Sequence, residues 1–175
     1  MYSIKKLQPI FILLGLLIAV LSLPTFSTTV VNKAVQTQVV GDFNKQVMCM
    51  AKNIYHESAK EKYEGKLAVA QVTMNRVNDP DFPKDVCDVV YQKTKYNQKT
   101  TCQFSWTCIK GLKVSDVYAW EESVLIARRA LTETVLHDTI AKTRALYYHA
   151  NYVNPGWNKK YVVSRIGNHI FYRDI

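Results

Sequence analysis

The sharpest chemical feature of the sequence is an acid placed directly after an apolar helical run. That acid is Glu57, which closes Ile54-Tyr55-His56-Glu57. A carboxyl group at the buried edge of a helix loses solvation, so its pKa rises and it can hold a proton at neutral pH. Such a group can deliver the proton to a leaving oxygen, which is the general-acid step of glycoside cleavage. On spacing alone Glu57 can equally be a solvated acid that starts a loop. Glu61 and Glu64 lie close by and make a two-carboxylate site conceivable, but Lys60, Lys62 and Lys66 around them read as an ordinary solvated face.

His56 beside Glu57, with His149 and His169 downstream, is the pattern that would suit a metallohydrolase. Adjacent helix positions point about 100° apart, and the sequence contains no H-E-x-x-H. No metal and no other cofactor is therefore expected. A G-x-S-x-G elbow and a P-loop are also missing from the sequence. A further cluster is aromatic: Phe104, Trp106, Tyr147, Tyr148, Tyr152, Trp157, Tyr161 and Tyr172 sit among Asn, Gln, Ser and His. Rings stack on pyranose C–H patches while amides bind hydroxyl and N-acetyl groups, so the mixture suits a saccharide groove, with part of the set reserved for the core.

The elements that must position these groups fit one domain. The chain has 175 residues, 48% of them hydrophobic and 21% charged, a foldable composition that excludes wholesale disorder. Its formal charge of +9 and eleven tyrosines suit a polyanionic partner: nucleic acid, an anionic membrane or a bacterial cell wall. Residues 1–8 form a short basic stretch with Lys5 and Lys6, and residues 10–23 are apolar apart from small residues. That run is short for a membrane span and fits an export signal ending near Ser27, or an uncleaved anchor that tethers the protein to the membrane. Without residues 1–27 the chain keeps 21 bases against 14 acids. An exported protein, in the periplasm, the cell envelope or outside the cell, has little occasion to meet nucleic acid. Cys49, Cys87, Cys102 and Cys108 are then expected in disulfides, with three pairings open; Cys102 and Cys108, six apart, would staple one loop, and Cys49 with Cys87 would then tie two distant segments.

Residues 28–41 read as a polar tether without regular structure, with the folded domain starting near Asp42 as a helix cap. Phe43, Val47, Met50, Ala51 and Ile54 predict a helix to about His56. Residues 64–77 predict a second helix, apolar nearly all round and hence buried. A turn follows at residues 78–83 and a short helix at residues 84–92. Residues 93–114 read as a polar segment. Ser115 is expected to cap a long amphipathic helix to about His137, and residues 161–172 to form a short hairpin around Gly167-Asn168. The expected class is α+β and mostly helical.

Several of these segments, in order, resemble the spore cortex-lytic enzyme family of cell-wall hydrolases. They are the run from Ile54 through Glu57 to Asn75-Arg76-Val77, then Phe82-Pro83 and Val89-Val90-Tyr91-Gln92. Cys102-Gln103-Phe104-Ser105-Trp106-Thr107-Cys108, the stretch from Tyr148-His149 to Pro155-Gly156-Trp157, and Arg165-Ile166-Gly167-Asn168-His169 complete the likeness, which spans about residues 47–173. The resemblance implies a lysozyme-like single domain that acts on peptidoglycan glycan strands as a muramidase, typically a lytic transglycosylase. It places the catalytic glutamate at Glu57, and candidate groove residues at Asn75, Gln103, Ser105, Tyr148, His149, Trp157 and His169. For His149 and His169 a hydrogen-bonded role beneath the core stands beside the functional one. The sequence departs from the family after the catalytic residue, where the usual Glu-Ala-Arg-Gly-Glu is Glu57-Ser58-Ala59-Lys60-Glu61. It departs again after Cys108, where Ile109-Lys110-Gly111 replaces Asp-Gly. The expected protein is a monomer. Its rivals are a metal-dependent wall amidase or peptidase using His149 and His169, and a non-catalytic wall-binding module.

Overall fold

The computed structural model describes residues 28–173. The expected export segment, residues 1–27, lies outside the described residues. The chain divides into two units, Met1–Gln36 and Thr37–Ile175. In the first, the described residues are helical. Helix α1 (Thr28–Ser58) begins where an irregular tether was expected, and Asp42 stands inside it instead of capping it. No proline interrupts residues 28–41. Their β-branched residues cost a few tenths of a kcal/mol each and Gly41 about 1 kcal/mol, which a long helix tolerates. Among the described residues no helix is long and apolar enough to cross a membrane.

Helix α2 (Tyr63–Asn78) is the centre of the second unit. Leu67 and Ala70 pack with Val47, Met50 and Ile54 of α1 and with Ile126 and Ala127 of α4 (Val117–Thr132). Ala68 and Val72, on another side of α2, pack with Ile140 of α5 (Asp138–Thr143), Ala145 and Phe171. One helix thus serves two apolar clusters, which is why its sequence is apolar nearly all round. Its polar exceptions are paired: Lys66 is buried against Glu122, and Thr73 accepts from Asn53 Nδ2 at 3.1 Å. Trp106 Nε1 in turn donates to Asn53 Oδ1 at 3.0 Å, so a buried polar chain joins α1, α2 and the segment after Cys102.

Helix α3 (Val86–Val90) is capped by Asp85, whose side chain accepts from Asp88 N at 2.8 Å. Residues 93–114 contain an unforeseen hairpin, β1 (Lys93–Tyr96) with β2 (Lys99–Cys102), turned by Asn97 and Gln98 at positive φ. Its described strand residues are mostly exposed, so no apolar alternation marked it. Helix α4 is capped by Asp116, not Ser115, through Ala119 N at 3.0 Å. It stops at Thr132 instead of reaching His137, and α5 follows as a separate short helix. The final sheet is antiparallel in the order β3-β5-β4, from β3 (Tyr147–Ala150), β4 (Val162–Ile166) and β5 (His169–Tyr172). The β4–β5 hairpin turns at Gly167-Asn168 as expected, with Gly167 at φ +55°.

Two disulfides settle the cysteines. Cys49–Cys87 ties α1 to α3 across 38 residues, and Cys102–Cys108 closes a loop of six. In the chain-entropy picture the longer closure contributes about 4 kcal/mol and the shorter about 2 kcal/mol.

Candidate active site

Glu57 lies in the last turn of α1, and that turn is held on both sides. Ser58 Oγ donates to Ile54 O at 2.7 Å. Tyr55 Oη accepts from the backbone N–H groups of Ser115 and Asp116 at 2.9 and 3.0 Å, which fixes the entry to α4. These donors hold the Tyr55 hydroxyl below its usual pKa. The carboxyl group is aimed inward, and burial pushes its pKa up. The Tyr148 hydroxyl, donating to Oε2 at 3.3 Å, and the Arg76 charge oppose that shift without cancelling it. Tyr148 is itself raised well above the usual tyrosine range by burial and by the Glu57 charge, so it remains a donor. With Oε2 turned to Tyr148, Oε1 is left to carry a proton.

Arg76 was not among the expected site residues. It is buried at the end of α2, donates from Nε to Leu146 O at 2.7 Å, and lies 5.1–5.7 Å from the ring centres of Phe104, Phe82 and Tyr147. Gln103, with its amide oxygen toward Arg76, accepts from both terminal nitrogens at 3.0 Å. Arg76 makes no ion pair with Glu57 among the described residues. The cation therefore tempers the carboxyl group without claiming its proton. An arginine in an otherwise apolar buried helix was the signal that could have found it.

Glu57 lines two clefts. One, of about 440 Å³, runs past His56, Glu61, Lys113, Tyr152 and His169. The other, of about 220 Å³, is lined by Arg76, Gln103, Ser105 and Tyr148. Gln103, Ser105, Tyr148 and His169 are thus brought to the carboxyl group. His169 is 7% exposed, its Nδ1 has no hydrogen-bond partner among the described residues, and burial lowers its pKa, so the ring is neutral at pH 7.

Three expected groove residues lie elsewhere. Asn75 spends its amide on structure: Nδ2 donates to Ile140 O and Ala145 O at 3.0 and 2.9 Å, and Oδ1 accepts from Gln71 at 3.0 Å. His149 and Trp157 share a third cleft of about 340 Å³. The period of two along β3 explains the division. Tyr148 and Ala150 turn to the Glu57 side, with His169 and Phe171 beside them, while His149 turns to the opposite side with Ile170 and Tyr172. His149 and His169 therefore stand on opposite faces and do not share a ligand position. His149 is held by Ala150 O at 2.8 Å and Tyr172 Oη at 3.0 Å.

Glu61, expected on a solvated face, instead lies in the larger cleft with Glu57. Its carboxylate accepts from Asn168 N at 3.1 Å and Asn168 Nδ2 at 2.9 Å and so clamps the β4–β5 turn. The positive φ of Gly167 calls for glycine, and a Cβ there would fall 1.9 Å from Glu61 Oε2 and displace that carboxylate.

Residues 60–172 match the family described as Cell Wall Hydrolase, a match that begins just after Glu57. The chain is 28% identical over 146 residues to a spore cortex-lytic enzyme of Bacillus subtilis (strain 168), covering 79% of this chain and 41% of that protein. It is 26% identical over 132 residues to a spore cortex-lytic enzyme of Halalkalibacterium halodurans, covering 75% and 36%. The chain thus spans about two fifths of the curated relatives it matches. Among solved structures, the catalytic domain of the germination-specific lytic transglycosylase SleB from Bacillus anthracis superposes with a TM-score of 0.53 at 26% identity, over 73% of this chain and 93% of that one. The catalytic domain of Bacillus cereus SleB gives 0.51 at 25% identity, over 74% and 90%. The α+β architecture is the lysozyme-like fold of those domains. By sequence and by fold, the chain belongs to the cell wall hydrolase family.

Proposed function

We propose that this protein cleaves the β-1,4 bond between N-acetylmuramic acid and N-acetylglucosamine in peptidoglycan, as a lytic transglycosylase, with Glu57 as its catalytic residue. The observation that carries this reading is a buried carboxyl group of raised pKa at the meeting of two clefts. A glycan strand running through both clefts sets one glycosidic oxygen over Glu57. The protonated Glu57 gives its proton to that oxygen as the C1–O bond breaks. The resulting carboxylate takes the proton of the muramoyl C6 hydroxyl, O6 bonds to C1, and a 1,6-anhydro ring closes while Glu57 regains its proton. No water is consumed and no second acid is needed, which agrees with Glu61 being engaged by Asn168. Tyr148 steadies the carboxylate between the two steps, and Gln103, Ser105 and His169 are placed to contact sugar. We place the protein in the cell envelope as a monomer, with residues 1–27 as its export signal or membrane anchor.

Glu57→Gln is expected to fold normally and to lose roughly 10³-fold or more of wall-cleaving activity. Mass spectrometry of the muropeptides released by the wild type should show 1,6-anhydro ends. Reducing ends would assign hydrolysis by water instead. Activity retained by Glu57→Gln would remove Glu57 from the chemistry altogether.

A further inference from the structure

The cleft on the far face of the sheet gathers residues that the chemistry at Glu57 does not use. Across the three strands, Arg165, Ile170 and His149 stand in register as one row. The β3–β4 connection arches over that row and lowers Trp157 onto it. The indole packs edge-on against Tyr147, His149 and Tyr172, with ring centres 6.1, 5.4 and 5.3 Å apart. Both ring nitrogens of His149 are engaged, so this aromatic wall is fixed. The same connection brings the amides of Asn151 and Asn154 and the cation of Lys159 into the cleft, and Arg165 enters from β4. Lys159 and Arg165 make no ion pair among the described residues, and no acid is among the residues lining the cleft.

We propose that this cleft is a second, non-catalytic binding site for the carboxylate-bearing muramyl unit of a wall strand. An apolar ring wall receives a pyranose face, the amides receive N-acetyl and hydroxyl groups, and two cations that form no ion pair among the described residues receive a carboxylate. The choice of a muramyl ligand rests on the function proposed above; the charge and shape of the cleft do not. The site lies on the opposite face of the sheet from Glu57, so it retains the enzyme on the wall without occupying the catalytic clefts.

The test uses the Glu57→Gln protein, which binds without turnover, and ¹⁵N spectra of its three tryptophan indoles, with Trp157 assigned through Trp157→Phe. Three probes are titrated: N-acetylmuramic acid, with its carboxylate on the sugar; N-acetylmuramyl-L-alanyl-D-isoglutamine, with its carboxylate on the peptide; and neutral N-acetylglucosamine. A shift of the Trp157 indole with either anionic probe, weakened at least about fivefold in Lys159→Gln/Arg165→Gln and by added salt, is the expected result. The stronger anionic probe identifies which carboxylate is read. An equal response to N-acetylglucosamine, an unchanged affinity in the double variant, or shifts confined to the indoles of Trp106, which stacks on His56, and Trp120 would overturn the proposal. None of these readings depends on cleavage. A wall-cleaving enzyme with a silent Trp157 therefore refutes the second site alone, whereas an inactive wild type that still binds at Trp157 refutes the catalytic reading alone.

Discussion

The two faces of the β3-β5-β4 sheet carry similar residue types in opposite physical states. On one face Tyr148 and His169 are packed against the end of α1, and burial sets their protonation: the phenol stays protonated and the imidazole stays neutral. On the other face His149 and Tyr172 hydrogen-bond to each other beside two exposed cations. Residues adjacent in sequence, such as Tyr148 and His149, therefore face different clefts. Proton transfer needs a dry pocket in which a carboxyl group keeps its proton, whereas retention of an anion needs charges that water can still reach. A pleated strand supplies both from one segment because its side chains alternate.

The largest way to break this contrast is at Arg76, which reaches both faces. Its charge is felt at Glu57 while its guanidinium lies over Tyr147, a neighbour of Trp157. Arg76→Met leaves the Leu146 carbonyl and the Gln103 amide oxygen without their donor. The expected loss is about 3 kcal/mol of stability, measured by urea unfolding. Both the activity and the Trp157 environment should change. If only activity changes, Arg76 does not couple the faces.

Tyr148→Phe separates the faces. The hydroxyl donates to the Glu57 carboxylate and so lowers its pKa; without it that pKa rises further. In the proposed mechanism cleavage begins with protonated Glu57 and is lost as pH rises through that raised pKa, so the alkaline limb of the rate profile should move to higher pH. The rate at neutral pH should fall about tenfold, the worth of one hydrogen bond to a charged group. The Trp157 indole should not move. Stability carries the same signature. Between the unfolded pKa of Glu57 and its raised folded value, the folded state binds the extra proton, so stability falls as pH rises through this window and the deficit persists above it. Glu57→Gln should therefore melt higher than the wild type at alkaline pH and equally at pH 4, by calorimetry.

The parts of this site that the sequence disclosed are those marked by local pattern. Glu57 was legible because it ends an apolar helical run, α2 because it is apolar all round, and the β4–β5 hairpin because Gly167-Asn168 marks a turn. Trp157 and His149 lie in a different cleft from Glu57, because aromatic character carries no information about which sheet face a residue joins; for His149 that depends on register with β5, and for Trp157 on the path of the β3–β4 connection. The structural engagement of Asn75 was not legible for a related reason: its amide finds its partners some 65 and 70 residues away, at Ile140 and Ala145. The Cys102–Cys108 loop was visible as a spacing of six, while the hairpin before it, with polar residues on both faces, left no periodic trace.

Glu61 is the subtlest difference between the faces and the smallest predicted effect. Its carboxylate receives two hydrogen bonds from Asn168, one from the backbone and one from the side chain, and it fills the space that a side chain at Gly167 would take. The turn that follows β4 is thereby tied to the loop after Glu57, and His169, the next residue after Asn168, is set into the larger Glu57 cleft. Glu61→Ala should cost about 1 kcal/mol, since the freed Asn168 groups are exposed and water replaces the carboxylate. The loosened wall should raise KM for peptidoglycan a few-fold with little change in kcat, because Glu57 and its Tyr148 partner are untouched. Glu61→Gln, which keeps an acceptor for the Asn168 backbone N–H, should recover most of the KM. A second acid in the chemistry would behave otherwise: both variants would lose kcat, and the mechanism would then require two carboxylates.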